Sequence, residues 1–295
     1  MTSPLTLSIV TPSLNQRATL EQCMESVLGQ WGCGTDFELQ YIVVDGGSND
    51  GSLEAIESHR DRLHSAIVGE DDGPYDAVRK GFEVATGDVL GWLNSDDALC
   101  PWALQTVAAV FSDVTDCQWL TTRRPAVLSA DGKVANVHPR TGYSSASIRR
   151  GAHHPRSPEK MAYLQQESTF FRRQLWQQAG GQFDPNFPLA GDFELWLRMA
   201  EFASIDNVDV PLGMFRYHRN QRSADLEAYH REAAEALQVT AGVDLEARRR
   251  QAARWWPKVR RRLPFGRSCA TDVMVIERTD RSDPHGKWSR HRETM

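Results

Sequence analysis

The sequence has few cysteines, and none of them is spaced as a metal-ligand or redox pair. The five are scattered and form no C-x-x-C motif: Cys23, Cys33, Cys100, Cys117 and Cys269. An odd, dispersed set argues against a disulfide framework and a zinc ribbon and is typical of a reducing compartment. The chain also lacks any run of 18 apolar residues, and residues 1–13 contain no basic region followed by an apolar stretch. These absences predict a cytoplasmic protein without a membrane span.

Phosphate-binding signatures and an excess of positive charge are also missing. Neither G-x-G-x-x-G nor G-K-[ST] occurs, so dinucleotide oxidoreductases and P-loop enzymes have no support. The net charge of −5 over 295 residues excludes a general polyanion binder, and we expect no nucleic-acid partner. Ala247–Arg267, called the basic tail below, nevertheless holds nine basic residues and no acidic one. Peripheral contact with the inner face of an anionic membrane and docking onto the acidic remainder of the chain explain this tail equally well.

The sequence does contain an alternation of short apolar runs and amphipathic stretches. The apolar runs end in turn or acidic residues: Leu5–Thr11, Leu39–Asp45, Ser65–Val68 and Val89–Leu93. Stretches with helical periodicity separate them, near residues 20–28, 52–62 and 75–85, and another begins at Pro101. The pattern predicts an α/β fold with a mainly parallel central sheet flanked by helices. Ligands of such sheets bind beyond the carboxyl ends of the strands.

The second half of the chain has a weaker pattern. Short strands are predicted within residues 119–137, joined by Asp131-Gly132, which is a hairpin signal. Gly142–Pro158 is rich in Gly, Ser, His, Arg and Pro, and we predict that it forms a long mobile loop that acts as a lid. Helical periodicity returns at Asp192–Phe202, and stretches rich in Ala, Glu and Arg predict further helices after residue 223.

Acidic and amide side chains follow three strands at the point where each strand ends. The turns are Asp45–Gly51, Glu70–Asp76 and Asn94–Asp97. Because the carboxyl ends of parallel strands meet at one edge of a sheet, these groups converge, and their charges repel unless a cation lies among them. Oxygen ligands of this kind suit Mg²⁺ or Mn²⁺ shared with a substrate phosphate. Helix caps and Asx turns are the structural alternative for each turn taken alone.

Four segments resemble the nucleotide-sugar half of the inverting family 2 glycosyltransferases, which have the GT-A fold: SIVTPSLNQ, YIVVDGGSNDGS, DDGPYDAVRKG and ATGDVLGWLNSDD. A weaker match, QESTFFRR and GGQFDPNFPLAGDFELWLR, extends the resemblance to about Tyr217. It implies a GT-A domain over residues 1–225, divided into a nucleotide-sugar-binding half (1–111) and an acceptor and catalytic-base half (112–225). Residues 226–295 are then expected to form a helical and basic extension.

The resemblance also implies roles for individual residues. Asp96 corresponds to the metal-binding acid of the family's D-x-D element, His218 to a position where some relatives bind the metal or the diphosphate, and Asp192 to the general base. Asn94 departs from the pattern, because the first Asp often stands there, and this weakens the expected metal affinity. Arg216, Arg219 and Arg222 are candidates to neutralise a diphosphate. The residues expected around the nucleotide sugar are Thr11, Pro12, Asn15, Asp45, Gly46, Asp72, Gly73, Asp76, Asn94 and Ser95.

The base assignment also has a physical argument. An inverting transfer is a single displacement at the anomeric carbon, which needs a carboxylate to take the acceptor's proton and positive charge to hold the departing diphosphate. Asp192 follows Gly191 at the start of an apolar-striped helix, where its carboxylate projects from the helix end. A plain N-cap is the alternative for the same residue.

The resemblance implies transfer of a sugar, UDP-linked, from a nucleoside diphosphate to a glycan or lipid-linked acceptor in cell-surface polysaccharide biosynthesis. A metal-dependent nucleotidyltransferase acting on sugar phosphates is a rival, but it needs a basic phosphate-binding loop, and Thr11–Asn15 contains no Lys or Arg. A non-catalytic nucleotide-sugar-binding relative is the second rival. Asn94 favours that rival slightly, whereas the presence of both Asp96 and Asp192 argues against it.

Overall fold

A computed structural model describes most of the chain: residues 4–159, 161–218, 221, 225–259, 272–280, 283 and 286–294. Within these ranges the β-strands are β1 (Leu5–Ser13), β2 (Phe37–Asp45), β3 (Ser65–Val68), β4 (Val89–Trp92), β5 (Ala98–Leu99), β6 (Trp119–Thr122), β7 (Ala126–Leu128), β8 (Val134–Val137), β9 (Phe170–Arg172), β10 (Asp206–Val208), β11 (Gly213–Arg216), β12 (Asp272–Arg278) and β13 (Trp288–Thr294). The α-helices are α1 (Arg17–Leu28), α2 (Ser52–Ser58), α3 (Pro74–Val84), α4 (Ala103–Asp113), α5 (Ser145–Arg149), α6 (Arg173–Gln178), α7 (Gly191–Phe202), α8 (Leu226–Ala241) and α9 (Leu245–Val259). Two short 3₁₀ helices cover Arg60–Arg62 and Gln166–Ser168. No helix in these ranges is long and apolar enough to cross a bilayer.

A nine-stranded sheet forms the centre of the fold, in the order β13-β12-β10-β6-β9-β4-β1-β2-β3. Strands β3, β2, β1 and β4 pair in parallel, β6, β10 and β12 form a second parallel group, and β9 joins the two groups in antiparallel pairing. The predicted α/β class with a mainly parallel sheet is therefore confirmed. A second sheet, β5-β11-β7-β8, contains the predicted hairpin between β7 and β8.

Apolar layers pack on the sheet and hold the strand ends in place. Helix α1 buries the predicted stripe of side chains against it, and β1 is buried along most of its length, as expected of a central parallel strand. Helix α3 approaches β1 closely, since a Cβ added at Gly81 would lie 2.4 Å from Val10 Cγ1. A stack of indole rings fills another part of the core, with Trp196 packed on Trp92 at 5.4 Å and on Trp119 at 5.6 Å.

The carboxyl-terminal extension contributes strands as well as helices. It is helical over α8 and α9, as predicted, but β12 and β13 then add two strands that the sequence analysis did not include. Strand β12 pairs in parallel with β10, so the main sheet continues past the predicted domain boundary at residue 225. The short run of Val273, Val275 and Ile276 that β12 buries is flanked by charged residues, and β13 has no continuous apolar run. The apolar run Val273-Met274-Val275-Ile276 was thus a local strand signal that the sequence analysis did not include, whereas β13 carried a weak one.

The segment predicted to be a mobile lid, Gly142–Pro158, is instead a packed part of the body. It contains α5, which begins with a capping box in which the Ser144 and Ser147 side chains accept hydrogen bonds from each other's backbone N–H groups. His153 is buried and its Nε2 lies 2.8 Å from the Ser147 hydroxyl. Burial lowers the pKa of His153 to about 4, so this ring is neutral near pH 7 and packs as a core residue. The polar composition that suggested a loop reflects buried hydrogen bonding.

Candidate active site

The structure brings Asp96 and His218 together from positions 122 residues apart. Asp96 follows β4, and His218 follows β11, which pairs antiparallel with β5 just after the acidic turn. The Asp96 Oδ2 and His218 Nε2 atoms are 2.8 Å apart, and both side chains are about one-fifth exposed. The backbone N–H of Arg216 donates to Asp97 Oδ1 at 2.8 Å, which links β11 to the same turn.

Arg216 does not face a ligand, contrary to its expected role as a diphosphate-binding residue. It is 2% exposed, its guanidinium donates to the Asp96 carbonyl oxygen and, at 2.7 Å, to Gln22 Oε1. Through these hydrogen bonds the guanidinium supports the turn that contains Asp96. Arg219 and Arg222, the other two candidates, lie outside the described residues.

Asn94 is held within the turn by polar contacts on its amide. Its Nδ2 lies 3.3 Å from Gln166 Oε1 and 3.5 Å from Asp97 Oδ2. Gln166 in turn donates to the Trp92 carbonyl oxygen at 2.6 Å, which ties the 3₁₀ helix to the end of β4. Ser95 is buried in the same turn. The uncharged Asn94 thus adds hydrogen bonds to a place where a further carboxylate would add repulsion.

Asp192 lies in the first turn of α7, although it does not cap the helix. Glycine at position 191 lets the Tyr75 ring pack there, since a Cβ would come within 2.8 Å of Tyr75 Cε2. Asp192 Oδ1 accepts from the Phe193 N–H at 2.7 Å and from the Tyr75 and Tyr229 hydroxyls at 3.3 Å each. Burial raises the pKa of Asp192 to about 6, against the lowering effect of these hydrogen bonds. A carboxylate with this pKa is ionised near pH 7 and is still basic enough to take a proton.

Glu167 is a buried carboxylate that the sequence analysis missed. It is 3% exposed, and Oε1 has no hydrogen-bond partner among the described residues. Burial, together with the nearby charges of Asp96 and Asp192, raises its pKa to about 8. Asp97 is also buried, and burial together with Glu167 and Asp96 raises its pKa well above the usual range. We call Asp96, Asp97, Glu167 and Asp192 the acidic cluster. Glu167 belongs to the QESTFFRR segment that carries the family resemblance, but the sequence does not show that the fold buries its side chain.

Asp45 shapes its own loop. Its carboxylate is fully buried, Oδ1 accepts from the N–H groups of Gly47 at 3.0 Å and Ser48 at 2.7 Å, and Oδ2 accepts from the Ser48 hydroxyl at 2.8 Å. The Ser48 hydroxyl also accepts from the Asn15 N–H at 2.7 Å, which joins the loops after β1 and β2. A contact between Asp45 and a nucleotide base remains a prediction.

The other residues expected after β1 and β2 differ in how they are placed. The Thr11 side chain faces the core instead of a ligand, because its hydroxyl is fully buried 2.9 Å from the Tyr41 hydroxyl. Pro12 is buried at the same strand end. Gly46 lies where two turns meet, since a Cβ there would come within 2.8 Å of Asp71 Oδ2. The first two acidic turns therefore converge, as their strand positions predicted.

In the second turn, Asp72 is exposed and its N–H donates to Asp76 Oδ2 at 3.2 Å. Gly73 caps α3 with a φ of 108°, which favours glycine. Asp76 pairs with Arg79 at 2.7 Å and Lys80 at 2.9 Å. Burial alone would raise its pKa, but hydrogen bonds from Lys80 and Arg79 outweigh this and hold the pKa at about 2. The carboxylate predicted to extend the nucleotide pocket is thus engaged by its own helix.

Two places in the described residues offer donors for a cation. Asp96 and His218 supply an oxygen and a nitrogen 2.8 Å apart at the predicted edge of the sheet, and Mn²⁺ accepts both kinds of ligand. Glu277, His291 and Glu293 have ligand atoms within 4.8 Å of one another on the β12–β13 hairpin. That hairpin lies four positions along the sheet from β4. The first pair fits a metal shared with a nucleoside diphosphate, because it lies beyond the carboxyl end of β4, at the same edge of the sheet as the turns after β2 and β3.

The mainly parallel sheet with its flanking helices is a GT-A fold. The sequence profile described as glycosyl transferase family 2 matches residues 8–172, more than half of the chain, and the chain belongs to this family.

Individual relatives match either part of the chain or most of it. A PGL/p-HBAD biosynthesis glycosyltransferase of Mycobacterium bovis is 39% identical over 102 residues, which is 34% of this chain and 38% of that protein. The match therefore spans well under half of that relative. An uncharacterized protein of Mycobacterium tuberculosis is 26% identical over 285 residues, covering 92% of this chain and 85% of that one. The crystal structure of S. aureus TarS 1-349 in complex with UDP-GlcNAc has a TM-score of 0.61 at 15% identity, covering 88% of this chain and 77% of that chain. At this identity the last likeness shows the fold.

Proposed function

We propose that this family 2 glycosyltransferase moves a sugar from a UDP-linked donor to a hydroxyl of a glycan or lipid-linked acceptor with inversion. The observation that carries the proposal is the pair of Asp96 and His218, whose side chains lie 2.8 Å apart beyond the carboxyl end of β4. Asp96 thus lies at the edge of the sheet where such folds bind their ligands. Asp192 lies in the first turn of α7 and has a pKa of about 6. TarS, which shares the fold, binds UDP-GlcNAc. That complex supports a UDP-linked donor.

In the proposed reaction, Asp192 takes the proton from the acceptor hydroxyl as the acceptor oxygen forms its bond to the anomeric carbon. The bond from that carbon to the diphosphate breaks on the opposite face, so the configuration inverts and a nucleoside diphosphate leaves. Asp96 and His218 would hold Mg²⁺ or Mn²⁺, and a bound cation supplies positive charge for the departing diphosphate. The acidic cluster provides no such charge itself, which is why a cation suits this site.

The test incubates the protein with a panel of nucleotide sugars and Mn²⁺ and measures release of nucleoside diphosphate. NMR of the product then determines the anomeric configuration. Asp192→Asn should lower turnover by about 10²–10⁴-fold while leaving UDP binding intact, because it removes the base but not the donor site. Glu201→Gln, an exposed change near the other end of α7, is the matched control. Unchanged turnover in Asp192→Asn would remove Asp192 from the mechanism.

The same assay separates the two rivals. A nucleotidyltransferase would consume a sugar phosphate and a nucleoside triphosphate and release pyrophosphate. A non-catalytic relative would bind a nucleotide sugar without releasing a nucleoside diphosphate in the presence of any acceptor. Release of UDP from a single donor, dependent on Asp192, is the outcome that the glycosyltransferase proposal expects.

We also propose that the basic tail brings the protein to anionic membranes, in keeping with a lipid-linked acceptor in polysaccharide biosynthesis. One described contact favours the rival explanation, since Arg248 Nη2 pairs with Glu159 Oε1 on the body at 2.9 Å. Residues 260–267 of the basic tail lie outside the described residues. Sedimentation of the full chain with vesicles containing phosphatidylserine should fall when Arg260, Arg261 and Arg262 are replaced by glutamine, because this removes three positive charges and keeps β12 and β13. Equal sedimentation would favour docking.

A further inference from the structure

Helix α8 packs directly on the helix that carries Asp192. It lies beyond residue 172, where the family profile ends, and beyond the predicted boundary of the GT-A domain. Its buried side chains, Ala233, Ala236 and Leu237, belong to the same core cluster as Leu195 and Met199 of α7. The helix is therefore part of the body that surrounds the candidate base and not an appended segment.

Glu232 on α8 binds the backbone that leads into α7. Its Oε2 accepts from the N–H of Leu189 at 2.7 Å and from the N–H of Ala190 at 3.0 Å. The first N–H groups of a helix have no acceptor within the helix, so a carboxylate at this place satisfies them and stabilises the helix start. Ala190 is the N-cap residue of α7, two positions before Asp192. Glu232 thereby anchors the backbone that positions the base.

Tyr229, one turn earlier on α8, reaches the carboxylate itself. Its hydroxyl donates to Asp192 Oδ1 at 3.3 Å. The Tyr75 hydroxyl lies at the same distance from Oδ1 but also 3.1 Å from the Leu189 carbonyl oxygen, so its single proton has two acceptors. With the Phe193 N–H, three donors surround Oδ1, whereas Oδ2 receives no hydrogen bond from the described part of the chain.

We propose that Tyr229 and Glu232 are positioning residues for the transfer reaction. Glu232 fixes the backbone at the start of α7, and Tyr229 binds Oδ1 of Asp192, so that Oδ2 is the atom that takes the acceptor's proton. The inference rests on the proposed function, in which the proton moves from the acceptor hydroxyl to Asp192 as the new glycosidic bond forms and the diphosphate leaves.

Tyr229→Phe is the first test, because it removes the hydroxyl and keeps the ring that packs edge-on against Tyr163 at 5.3 Å. We expect kcat to fall about 3–10-fold, with UDP affinity and donor KM unchanged. The acid limb of the pH–rate profile should move to higher pH by roughly half a unit, because the ionised carboxylate loses a donor. Tyr75 from α3, Tyr163, and Glu167 from the 3₁₀ helix also face Asp192. The hydrogen bond from Tyr75 and the charge of Glu167 bear on this limb, whereas the Tyr163 hydroxyl is neutral over this pH range because burial raises its pKa.

Tyr163→Phe is the matched control for Tyr229→Phe. It removes a buried hydroxyl from the same group of rings, and this hydroxyl has no hydrogen-bond partner among the described residues. We expect its acid limb to coincide with that of the unmodified protein. An acid limb for Tyr229→Phe that coincides as well would overturn the role of Tyr229.

Glu232 is tested by Glu232→Ala and Glu232→Gln, with the exposed Glu235→Gln on the same helix as control. We expect Glu232→Ala to lower kcat about 10-fold or more with UDP binding retained, and Glu232→Gln to restore part of the loss, because the amide oxygen still accepts. Circular dichroism and UDP binding show whether each Glu232 variant folds. If neither variant folds, the result for Tyr229→Phe tests the inference. If Asp192→Asn abolishes turnover while Tyr229→Phe and Glu232→Ala leave it unchanged, this inference fails and the proposed function stands. If Asp192→Asn keeps full turnover, the proposed function fails first.

Discussion

Replacing Glu167 by glutamine should make the protein more stable at high pH, and the structure sets the size of the effect. Glu167 is 3% exposed and its Oε1 has no partner among the described residues. Burial raises its folded-state pKa from 4.5 to about 8. Between these values the folded protein holds one proton more than the unfolded chain does. Stability therefore falls as pH rises, by about 1.4 kcal/mol per pH unit.

The full shift of the Glu167 pKa corresponds to a loss of at most ~5 kcal/mol between pH 4.5 and pH 8. Water entry and side-chain relaxation around an ionised group reduce such costs, so we expect about 2 kcal/mol. Glutamine keeps the shape of the protonated acid and cannot ionise. Urea unfolding in EDTA at pH 5, 6, 7, 8 and 9 should show the Glu167→Gln variant gaining stability relative to the unmodified protein as pH rises. Glu235→Gln, on an exposed face of α8, should follow the unmodified protein throughout. Parallel stability curves for Glu167→Gln and the unmodified protein would refute the argument that Glu167 is buried without compensation.

Two further changes test the metal pair and the packing of α3 on β1. His218→Gln removes a nitrogen 2.8 Å from Asp96 Oδ2 and should raise the Mn²⁺ concentration needed for half-maximal activity by about 10-fold or more. The measurement titrates Mn²⁺ into enzyme from which a chelator has removed bound metal. An unchanged requirement would place the cation elsewhere. Gly81→Ala places a Cβ 2.4 Å from Val10 Cγ1 and should lower the free energy of unfolding in urea by about 1–3 kcal/mol. Helix propensity alone predicts a gain of about 1 kcal/mol, so a more stable variant would show that the packing is not tight.

The first half of the fold was predictable because its signals are local. Short apolar runs ending in acidic turns predicted β1 to β4 and the edge where their turns meet, and amphipathic periodicity predicted the helices between them. Strand β12 was missed although its apolar run Val273-Met274-Val275-Ile276 is a local strand signal. Strand β13 was not predictable in this way, because it has little apolar content and its strand conformation depends on pairing with β12. The packing of Gly142–Pro158 was missed for a similar reason. Its buried histidine is compatible with the core because the ring contacts the Ser147 hydroxyl and the Ala162 carbonyl oxygen, which composition does not reveal.

The candidate site shows why residue type at a strand end is an incomplete guide to chemistry. Asp45 and Asp76 were expected to bind the nucleotide, yet donors from their own loop or helix already surround both carboxylates, and hydrogen bonds hold the Asp76 pKa at about 2. Burial raises the pKa values of Glu167 and Asp192 to about 8 and about 6, although Asp192 also accepts three hydrogen bonds. Carboxylates of the first kind stabilise turns, whereas those of the second kind must take up protons, share a cation or relax. Asp192 was expected from the sequence, whereas Glu167 became a candidate only in three dimensions, because its burial near the charges of Asp96 and Asp192 depends on the fold.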